Sequence, residues 1–515
     1  MVALGPASCL QGAGLIRNTS MDLKVAVVVF VKNEYPDFCS WLAWHFAIGV
    51  NTIIVYDDHS TDGTWEAAVA ASLCLDVRPY RTDLDIQPFT ARQRDVYLSA
   101  VKNLRDEFDW IGFIDADEFL HLRHGVDVRS FLSRFPDAAA IAFSWCIYGS
   151  NGWLLKPAAN TVQAFTRHSL PSFGHNRSVK SFVRPNHVID RWRDPHTFEV
   201  GDLPYVDPQG QPMQWGGPGA IGHEPDWSTA KLMHYIPRSM EHFVERIRRR
   251  SDLQGVTNEY WNVFNKNDVQ DLEPLEKMPE LDRYLFKINN EIMRVFCQNL
   301  LTFAHGKVDL LDGPGVQDNA LAYSLIKTHF GSVLALDQKN CLVHLPQHQV
   351  DELGYRLVYA ISTSSSSAIL FLVAPHADGP LRIPMDYRVS DILPYLCQTD
   401  AAVGTMTLRI PRSRHLLSAL PPEASGAGRT SADRWHAKDW EQFTTLAVDH
   451  VDTDAVRYAG LSSLISAPAS TADAVMSLAR TGASQMVCAA AIYLLADRER
   501  ASIVKNAHGV LPAWV

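Results

Sequence analysis

The sequence predicts an α/β protein whose first half forms a mostly parallel sheet with helices on both sides. Apolar runs alternate with helical patterns in the order strand, helix, strand, helix, strand, helix, strand. The run Lys24–Val31 is apolar and β-branched almost throughout, as expected for a parallel strand covered on both faces. This alternation implies right-handed crossovers within one sheet.

Each element follows from its local pattern. The strands are predicted over Lys24–Val31, Thr52–Tyr56, Leu75–Tyr80 and Trp110–Ile114. The first helix opens at Pro36 and closes at Gly49, where the chain can adopt the left-handed conformation that ends many helices. The second helix starts near Trp65 after a Ser/Thr/Asp/Gly cluster, and the third covers Ala91–Leu104.

Polar side chains follow three of these four strands. They are Lys32-Asn33-Glu34, Asp57-Asp58 and Asp115-Ala116-Asp117. Ligands of open α/β sheets bind outside the carboxyl ends of the strands, so these groups are expected to share one site. Asp115 and Asp117 suit a hard divalent cation that leaves positions open for phosphates. The alternative is a solvated turn in which an aspartate caps the next helix. The glycine fingerprint of dinucleotide sites is missing.

These motifs carry a family resemblance. K-N-E, Y-D-D-H-S-T-D-G-T and D-A-D-E-F-L together resemble the GT-A fold nucleotide-sugar glycosyltransferases, nearest the branch of families 2 and 92. The likeness covers residues 24–270 and continues through Trp145–Gly152, Lys180–Pro185, His196–Phe198 and Met233–Tyr235. It implies a GT-A-like, Rossmann-related mixed sheet flanked by helices. It also implies transfer of a sugar from a nucleotide-sugar donor to a hydroxyl of a glycan, polysaccharide or glycolipid acceptor.

The resemblance also implies roles for single residues on the donor side. The donor-binding candidates are Lys32, Asn33, Asp57, Arg94, Asp115 and Lys180. Asp57 is expected to contact the base or ribose. Arg94 either holds a phosphate or lies on a solvated helix face. Asp115 and Asp117 match the D-x-D motif that binds Mn²⁺ or Mg²⁺, with His234 as a third ligand and His196 as the alternative. Lys180 is expected in a basic patch with Asn176, Arg177 and Arg184, or on a surface strand edge.

The motifs are most similar to inverting enzymes, while retention stays open. Inversion needs a carboxylate that takes the proton of the acceptor hydroxyl. Glu241 is the first candidate, Asp194 the second and Asp268 the third. Glu241 equally suits the first turn of a helix, where it complements the dipole. The arginines that follow, Arg246 and Arg248–Arg250, are interpreted as a solvated face and helix C-terminal charge, with binding of an anionic acceptor as the alternative.

The remaining half carries no motif, and its role is open. The predicted regions are a disordered N-terminus at 1–20, a glycosyltransferase domain at 21–270, a helical extension at 271–330, a β-rich module at 331–420 and a helical region at 431–515. Pro421–Thr430 is interpreted as a linker rich in Gly, Ser, Ala and Pro. Helices are predicted over Trp435–Val448 and Ala472–Asp497.

Composition limits the function classes. A net charge of −10 over 515 residues argues against nucleic-acid binding. Eight scattered cysteines without a C-x-x-C pair are typical of a reducing compartment. No apolar run approaches the ~20 residues of a membrane span, so we expect a cytoplasmic protein.

A nucleotidyltransferase is disfavoured because a glycine-rich basic loop is missing. A protein of this fold that binds nucleotide or carbohydrate without turnover is the main alternative. The sugar, the nucleotide, the acceptor and the oligomeric state stay open.

Overall fold

A computed structural model describes most of the chain. The described residues are 23–35, 37–189, 191–217, 219–249, 257–305, 321, 323–362, 369–424, 426–448, 451, 457–466, 470–507 and 509–515. The predicted disordered N-terminus, residues 1–20, lies outside them.

The first region contains eleven strands and seven helices within the described residues. The strands are β1 (Val25–Val31), β2 (Thr52–Asp57), β3 (Val77–Arg81), β4 (Trp110–Phe113), β5 (Glu118–Leu122), β6 (Ala140–Ile147), β7 (Arg167–His168), β8 (Val179–Val183), β9 (Tyr205–Val206), β10 (Ala230–His234) and β11 (Val269–Gln270). The helices are α1 (Asp37–Ala47), α2 (Thr64–Ser72), α3 (Phe89–Leu104), α4 (Val128–Leu132), α5 (Thr161–Ala164), α6 (Met240–Arg249) and α7 (Thr257–Phe264).

These strands form a nine-stranded mixed sheet in the order β3-β2-β1-β4-β8-β6-β10-β5, with β9 beside β6. The first four strands are parallel. β8 runs antiparallel to β4 and β6, and β5 runs antiparallel to β10. Strand β1 is buried throughout because its alternate residues enter two cores, Val27 and Val29 on one face and Ala26 and Val28 on the other. The predicted α/β class is confirmed.

A strand, not a helix, follows the D-x-D segment. Glu118–Leu122 pairs with β10 in the register Glu118↔His234. The interpretation of the aspartates as caps of a following helix is therefore wrong. Phe119 and His121 alternate with Leu120 and Leu122, and all four are buried, so this edge strand is covered on both faces.

The second half contains a long helix, a second sheet and terminal helices. The strands are β12 (Tyr323–Thr328), β13 (Val333–Leu336), β14 (Leu342–Leu345), β15 (Arg356–Leu357), β16 (Tyr359–Ile361), β17 (Ile369–Val373), β18 (Ile392–Asp400), β19 (Thr405–Arg409), β20 (Leu416–Ala419), β21 (Gly428–Arg434) and β22 (Phe443–Val448). The helices are α8 (Met278–His305), α9 (Gln347–Glu352), α10 (Leu461–Ser466), α11 (Ala472–Arg480), α12 (Gln485–Leu494) and α13 (Asp497–Ala507).

The eleven strands β12 to β22 form one sheet that curls back on itself, because β12 pairs with β13 and β19 with β22 in addition to their neighbours along the sheet. It continues past the predicted boundary at residue 420, and β21 starts inside the predicted linker. The helix predicted over Trp435–Val448 is wrong, because Phe443–Val448 pairs with the whole of β12. The helix predicted over Ala472–Asp497 is broken at Gly482, which has a left-handed φ of 82°.

Candidate active site

The predicted site residues meet at one edge of the nine-stranded sheet. The parallel strands β1, β2 and β4 end there, as do β6 and β10. The antiparallel strands β8 and β5 begin at the same edge. The ends of these strands therefore place Lys180, Glu118 and His234 beside the D-x-D segment.

The D-A-D-E segment is held from within by Glu118. Its buried carboxylate accepts hydrogen bonds from the backbone N–H of Asp115 at 2.9 Å and from Trp145 Nε1 at 2.8 Å. Asp115 faces Lys180, with 2.8 Å between Oδ2 and Nζ. Burial raises the pKa of Glu118 to about 7, although Lys180 opposes this. Lys180 is thus a buried cation among carboxylates. The prediction of a strand there is confirmed, while the alternative of a surface strand edge is wrong.

The two carboxylate oxygens of Asp117 have different partners. Its Oδ1 lies 3.6 Å from His234 Nε2, and its Oδ2 accepts a hydrogen bond from Arg246 Nη1 at 2.6 Å. Burial raises the pKa of Asp117, but Arg246 and His234 outweigh burial and hold it well below its ordinary range. Asp117 is therefore a carboxylate with one oxygen held by a guanidinium and the other turned toward an imidazole.

The donor atoms of this pair fit a divalent cation. A carboxylate oxygen is a ligand that both Mn²⁺ and Mg²⁺ prefer, whereas an imidazole nitrogen is a ligand of transition metals and therefore favours Mn²⁺ over Mg²⁺. His234 is buried, and its Nδ1 has no hydrogen-bond partner among the described residues. In the described part of the chain, no group of three or more His, Cys, Asp or Glu side chains is arranged so that it could hold one metal ion. Because Asp115 faces Lys180, Asp117 and His234 are the two candidate ligands that lie together, and Asp115 remains a predicted third.

A second arginine borders the same site. Arg238 adopts a left-handed φ of 49° and contacts Asp37 at 2.5 Å and Glu34 at 3.0 Å. Sequence reasoning missed Arg238 and interpreted Arg246 as solvated. The second interpretation is wrong, because Arg246 contacts the carboxylate of Asp117. A signal existed: Phe243, on the buried face of the helix, lies three residues before Arg246 and shares its side.

Asp57 and Asp58 lie at the end of β2 and have different partners. Asp57 Oδ2 accepts the N–H of Ser60 at 3.0 Å and also contacts Arg81, while its buried Oδ1 has no hydrogen-bond partner among the described residues. Asp58 receives two hydrogen bonds from Arg92, at 2.7 and 3.0 Å. An unpartnered buried carboxylate oxygen can accept an N–H or O–H from a ligand.

The other donor-side candidates surround this strand end. Lys32 Nζ lies 3.1 Å from Asp58 Oδ2. Asn33, with a left-handed φ of 56°, accepts the N–H of Thr61 at 2.8 Å. Arg94 is exposed on α3, whereas the buried arginine of that helix is Arg92. Arg92 was missed, although its spacing of four residues from Val96 marks the buried face.

The acceptor-side candidates hold loops in place. Glu241 is exposed and accepts the N–H of Lys156 at 2.8 Å. Asp194 accepts the N–H groups of His196 and Thr197, both at 2.8 Å. Asp268 Oδ2 accepts the N–H of Leu170 at 3.3 Å. All three remain predictions for the general base.

The remaining predicted residues, His196 and the basic patch, have separate partners. His196 Nδ1 lies 2.8 Å from the carbonyl oxygen of Val179, and burial lowers the His196 pKa to about 4. Arg184 stacks on Trp110 at 4.5 Å from the ring centre. Asn176 is buried and contacts the Ile147 N–H, and Arg177 binds the carbonyl of Gly222. The residues of the predicted basic patch therefore have separate partners, and Lys180 alone among them contacts the D-x-D segment.

Comparison with known proteins identifies relatives of this chain. A glycosyltransferase family 92 protein of Oryza sativa subsp. japonica is 24% identical over 165 residues, which are 32% of this chain and 27% of that protein. A family 92 protein of Ricinus communis is 24% identical over 166 residues, 32% of this chain and 29% of that protein. This chain is similar to glycosyltransferase family 92. The predicted resemblance is confirmed.

The likeness is partial. A family 92 protein of Arabidopsis thaliana is 23% identical over 173 residues, again 32% of this chain and 29% of that protein. The chain thus spans less than a third of the length of these relatives. No family model matches the chain.

Two solved structures overlap with parts of it. Glucosyl-3-phosphoglycerate synthase from Mycobacterium tuberculosis, in complex with Mn²⁺, uridine diphosphate and phosphoglyceric acid, is 19% identical, covers 25% of this chain and 45% of its own, and has a TM-score of 0.20. HddC from Yersinia pseudotuberculosis is 10% identical, and the match covers 44% of this chain and 99% of HddC, with a TM-score of 0.22. Overlap at these scores supports no inference about this chain.

Among the helices within the described ranges, none combines the length and apolar character that crossing a membrane requires.

Proposed function

We propose that the chain is a metal-dependent glycosyltransferase that moves a sugar from a nucleotide-sugar donor to a hydroxyl of a carbohydrate or glycolipid acceptor, with inversion. One observation carries the proposal: a mostly buried, ionised Asp117 turns Oδ1 toward His234 Nε2, at the sheet edge where Asp57 ends β2. The similarity to family 92 glycosyltransferases supports it.

Asp117 and His234, with Asp115, would hold the Mn²⁺ or Mg²⁺. When bound, such an ion neutralises charge that builds on the leaving diphosphate. Arg246 keeps Asp117 Oδ2 occupied and leaves Oδ1 for coordination. Glu118 is buried and fixes the backbone at Asp115.

The chain's own groups bind and orient the donor. Asp57 Oδ1 accepts a hydrogen bond from the base or ribose, which gives a partner to an oxygen that has none among the described residues. Lys32, whose side chain is half exposed beside Asp58, and Lys180 supply positive charge toward the diphosphate. Asn33 and Arg94 are the further proposed donor contacts. Holding donor and acceptor side by side removes several kcal/mol from the barrier.

Glu241 is the first choice for the general base, because its carboxylate is exposed on the acceptor side. It would accept the proton of the attacking hydroxyl as the sugar leaves the diphosphate. Asp194 and Asp268 are the alternatives. Glu241→Gln should lower kcat strongly at unchanged donor affinity if it is the base; an unchanged kcat would transfer the role to Asp194 or Asp268.

The deciding experiment replaces Asp117. Asp117→Ala and Asp117→Asn should abolish sugar transfer and metal-dependent nucleotide binding while circular dichroism reports an intact fold. Asp106→Ala, at an exposed position of the same domain, is the matched control. Full activity of either Asp117 variant, or undiminished wild-type activity in EDTA, would exclude the metal mechanism.

The alternative is a protein of the same fold that binds nucleotide or carbohydrate without turnover. The pairing of Asp115 with Lys180 rather than with Asp117 and His234 is the observation in its favour. A thermal-shift panel of nucleoside diphosphates and nucleotide sugars with Mn²⁺ identifies the donor, since a bound ligand raises the melting midpoint. Release of nucleoside diphosphate from that donor then separates a transferase from a binding protein.

A cytoplasmic location remains a prediction. Seven cysteines lie in the described residues and all are free thiols, which suits a reducing compartment.

A further inference from the structure

The segment after α13 lies against the loops of the proposed donor site. The hydroxyl of Tyr35, in the loop that follows β1, donates a hydrogen bond to the backbone carbonyl of Leu511. The side chain of Val510 covers Gly63, in the loop that follows β2. A segment more than 400 residues away in sequence therefore contacts both loops at once.

Glycine at position 63 makes this contact possible. A Cβ there would lie 2.3 Å from Val510 Cγ1, and the backbone has a left-handed φ of 109°. Only glycine meets both conditions without strain. Burial raises the pKa of Tyr35 well above its ordinary value, so the phenol keeps the proton that it donates to Leu511.

The segment is anchored independently of these loops. Arg412 and Arg500 donate to the backbone oxygen of Val515, at 3.2 and 2.8 Å. The ring of Trp514 packs on Tyr493, with 5.7 Å between ring centres. The C-terminal region thus holds residues 510–511 in a fixed place, and the loops rest on them.

The two loops are joined to each other and to Asp57. The N–H of Asn33 donates to Ser60 Oγ at 2.9 Å, and the N–H of Tyr35 donates to Asp62 Oδ2 at 3.0 Å. Ser60 in turn donates its N–H to Asp57 Oδ2 at 3.0 Å. A shift of Tyr35 or Gly63 therefore changes the hydrogen bond that orients the Asp57 carboxylate.

We propose that Val510 and the carbonyl of Leu511 are positioning groups of the donor site: they fix Tyr35 and Gly63, and through them the loop that aims Asp57 Oδ1 at the nucleoside. This inference rests on the proposed function for the ligand that Asp57 receives. It gives the otherwise unassigned C-terminal region a role in donor affinity.

The test uses two conservative variants in the full chain. Tyr35→Phe removes the hydroxyl that contacts Leu511, and Val510→Ala removes the methyl groups over Gly63. Tyr355→Phe and Val504→Ala are matched controls of the same chemistry in the C-terminal half. Three measurements are made. They are the Kd of the nucleoside diphosphate that stabilises the wild type most, with Mn²⁺ present, the Kd of Mn²⁺ alone, and amide hydrogen exchange of Ser60, Thr61 and Thr64.

Tyr35→Phe and Val510→Ala should each raise the Kd about three- to tenfold, the effect of one lost hydrogen bond or contact. The affinity for Mn²⁺ alone should stay unchanged, which a general loss of stability would not produce. Exchange at the three amides should become faster in both variants, and the controls should match the wild type.

The outcomes separate the two proposals. Unchanged exchange at Ser60, Thr61 and Thr64 overturns the positioning role whether or not a nucleotide binds. Faster exchange with an unchanged Kd also overturns it, because the loop would then have no effect on the donor. If no nucleoside diphosphate binds the wild type, the proposed function fails, and the exchange data alone decide whether the segment orders the loop.

Discussion

At the scale of single residues, Arg246 determines which oxygen of Asp117 is available. Arg246→Met leaves Asp117 Oδ2 without its guanidinium, so the carboxylate loses both orientation and the charge that keeps its pKa low. Loss of such a supporting contact typically weakens metal binding 10- to 100-fold. We expect that loss in a titration of free Mn²⁺ followed by electron paramagnetic resonance. Arg248→Met, on an exposed position of the same helix, should bind Mn²⁺ like the wild type. Equal affinity of both variants would contradict this role.

Local sequence patterns predict some residues of the site and not others. Asp115 and Asp117 could be predicted because two acids directly after a buried strand form a local pattern. The partner of Asp117 could not, since Arg246 lies 129 residues away and meets it only through the fold. Arg238 was missed for the same reason, because a charged side chain is ordinarily solvated and only tertiary structure reveals its burial. The burial of Arg92 had a local signal, its spacing of four residues from Val96.

At the scale of elements, Asp58 joins β2 to α3 and makes stability depend on pH. Burial raises its pKa, but Arg92, Thr82 and Lys32 outweigh burial and lower it to about 2 from 3.8. A carboxyl group whose pKa is lowered by folding stabilises the folded state at every pH above its pKa in the unfolded chain. This contribution to the free energy of unfolding is lost as the pH falls through the folded pKa of about 2. Asp58→Asn should therefore lower the free energy of unfolding by about 2 kcal/mol at pH 7. The difference from the wild type should shrink between pH 4 and pH 2 in urea titrations; a constant difference would contradict the assignment.

Strands β4 and β8 fit together through a glycine. Gly112 lies opposite Phe182, and a Cβ at position 112 would come within 2.4 Å of the Phe182 ring. Gly112→Ala should lower the free energy of unfolding by about 1–3 kcal/mol, because the ring must move within a packed core. The same change in a Phe182→Leu background should cost less, measured by urea unfolding. Equal losses in both backgrounds would show that the ring is not the cause.

Elements with a strong local pattern were predictable, and those defined by distant pairing were not. Strand β1 was predicted because a continuous apolar run of this length is typical of a parallel strand that is buried on both faces. Strand β22 was missed because Phe443–Val448 has only Phe443 fully buried and carries three exposed residues. It is a strand because β12 lies beside it, and such pairing overrides intrinsic propensity.

At the scale of the whole molecule, helix α8 joins the two halves. One face packs on α1 and α2 beside the nine-stranded sheet, and other parts contact α11, α12 and α13. Its buried residues Ile288, Ile292 and Phe296 belong to a core that also contains Trp41 and Val487. Helix α8, the helical part of the predicted extension at 271–330, is therefore part of the interior, whereas Tyr323–Thr328 at its end is strand β12. The predicted domain at 21–270 has an apolar face that α8 covers.

This arrangement predicts that one substitution in α8 destabilises both halves together. Ile292→Ala removes a side chain that is 1% exposed, at a typical loss of about 2–5 kcal/mol. Because α8 contributes to one continuous core, we expect the near-ultraviolet circular dichroism and the fluorescence of tryptophans in both halves to shift to lower urea by the same amount. Arg283→Ala, on an exposed position of the same helix, should change the free energy of unfolding by less than about 0.5 kcal/mol. If only one half shifted in Ile292→Ala, the two halves would be independent cores, and the anchored segment at residues 510–515 would lose its rigid link to the donor loops.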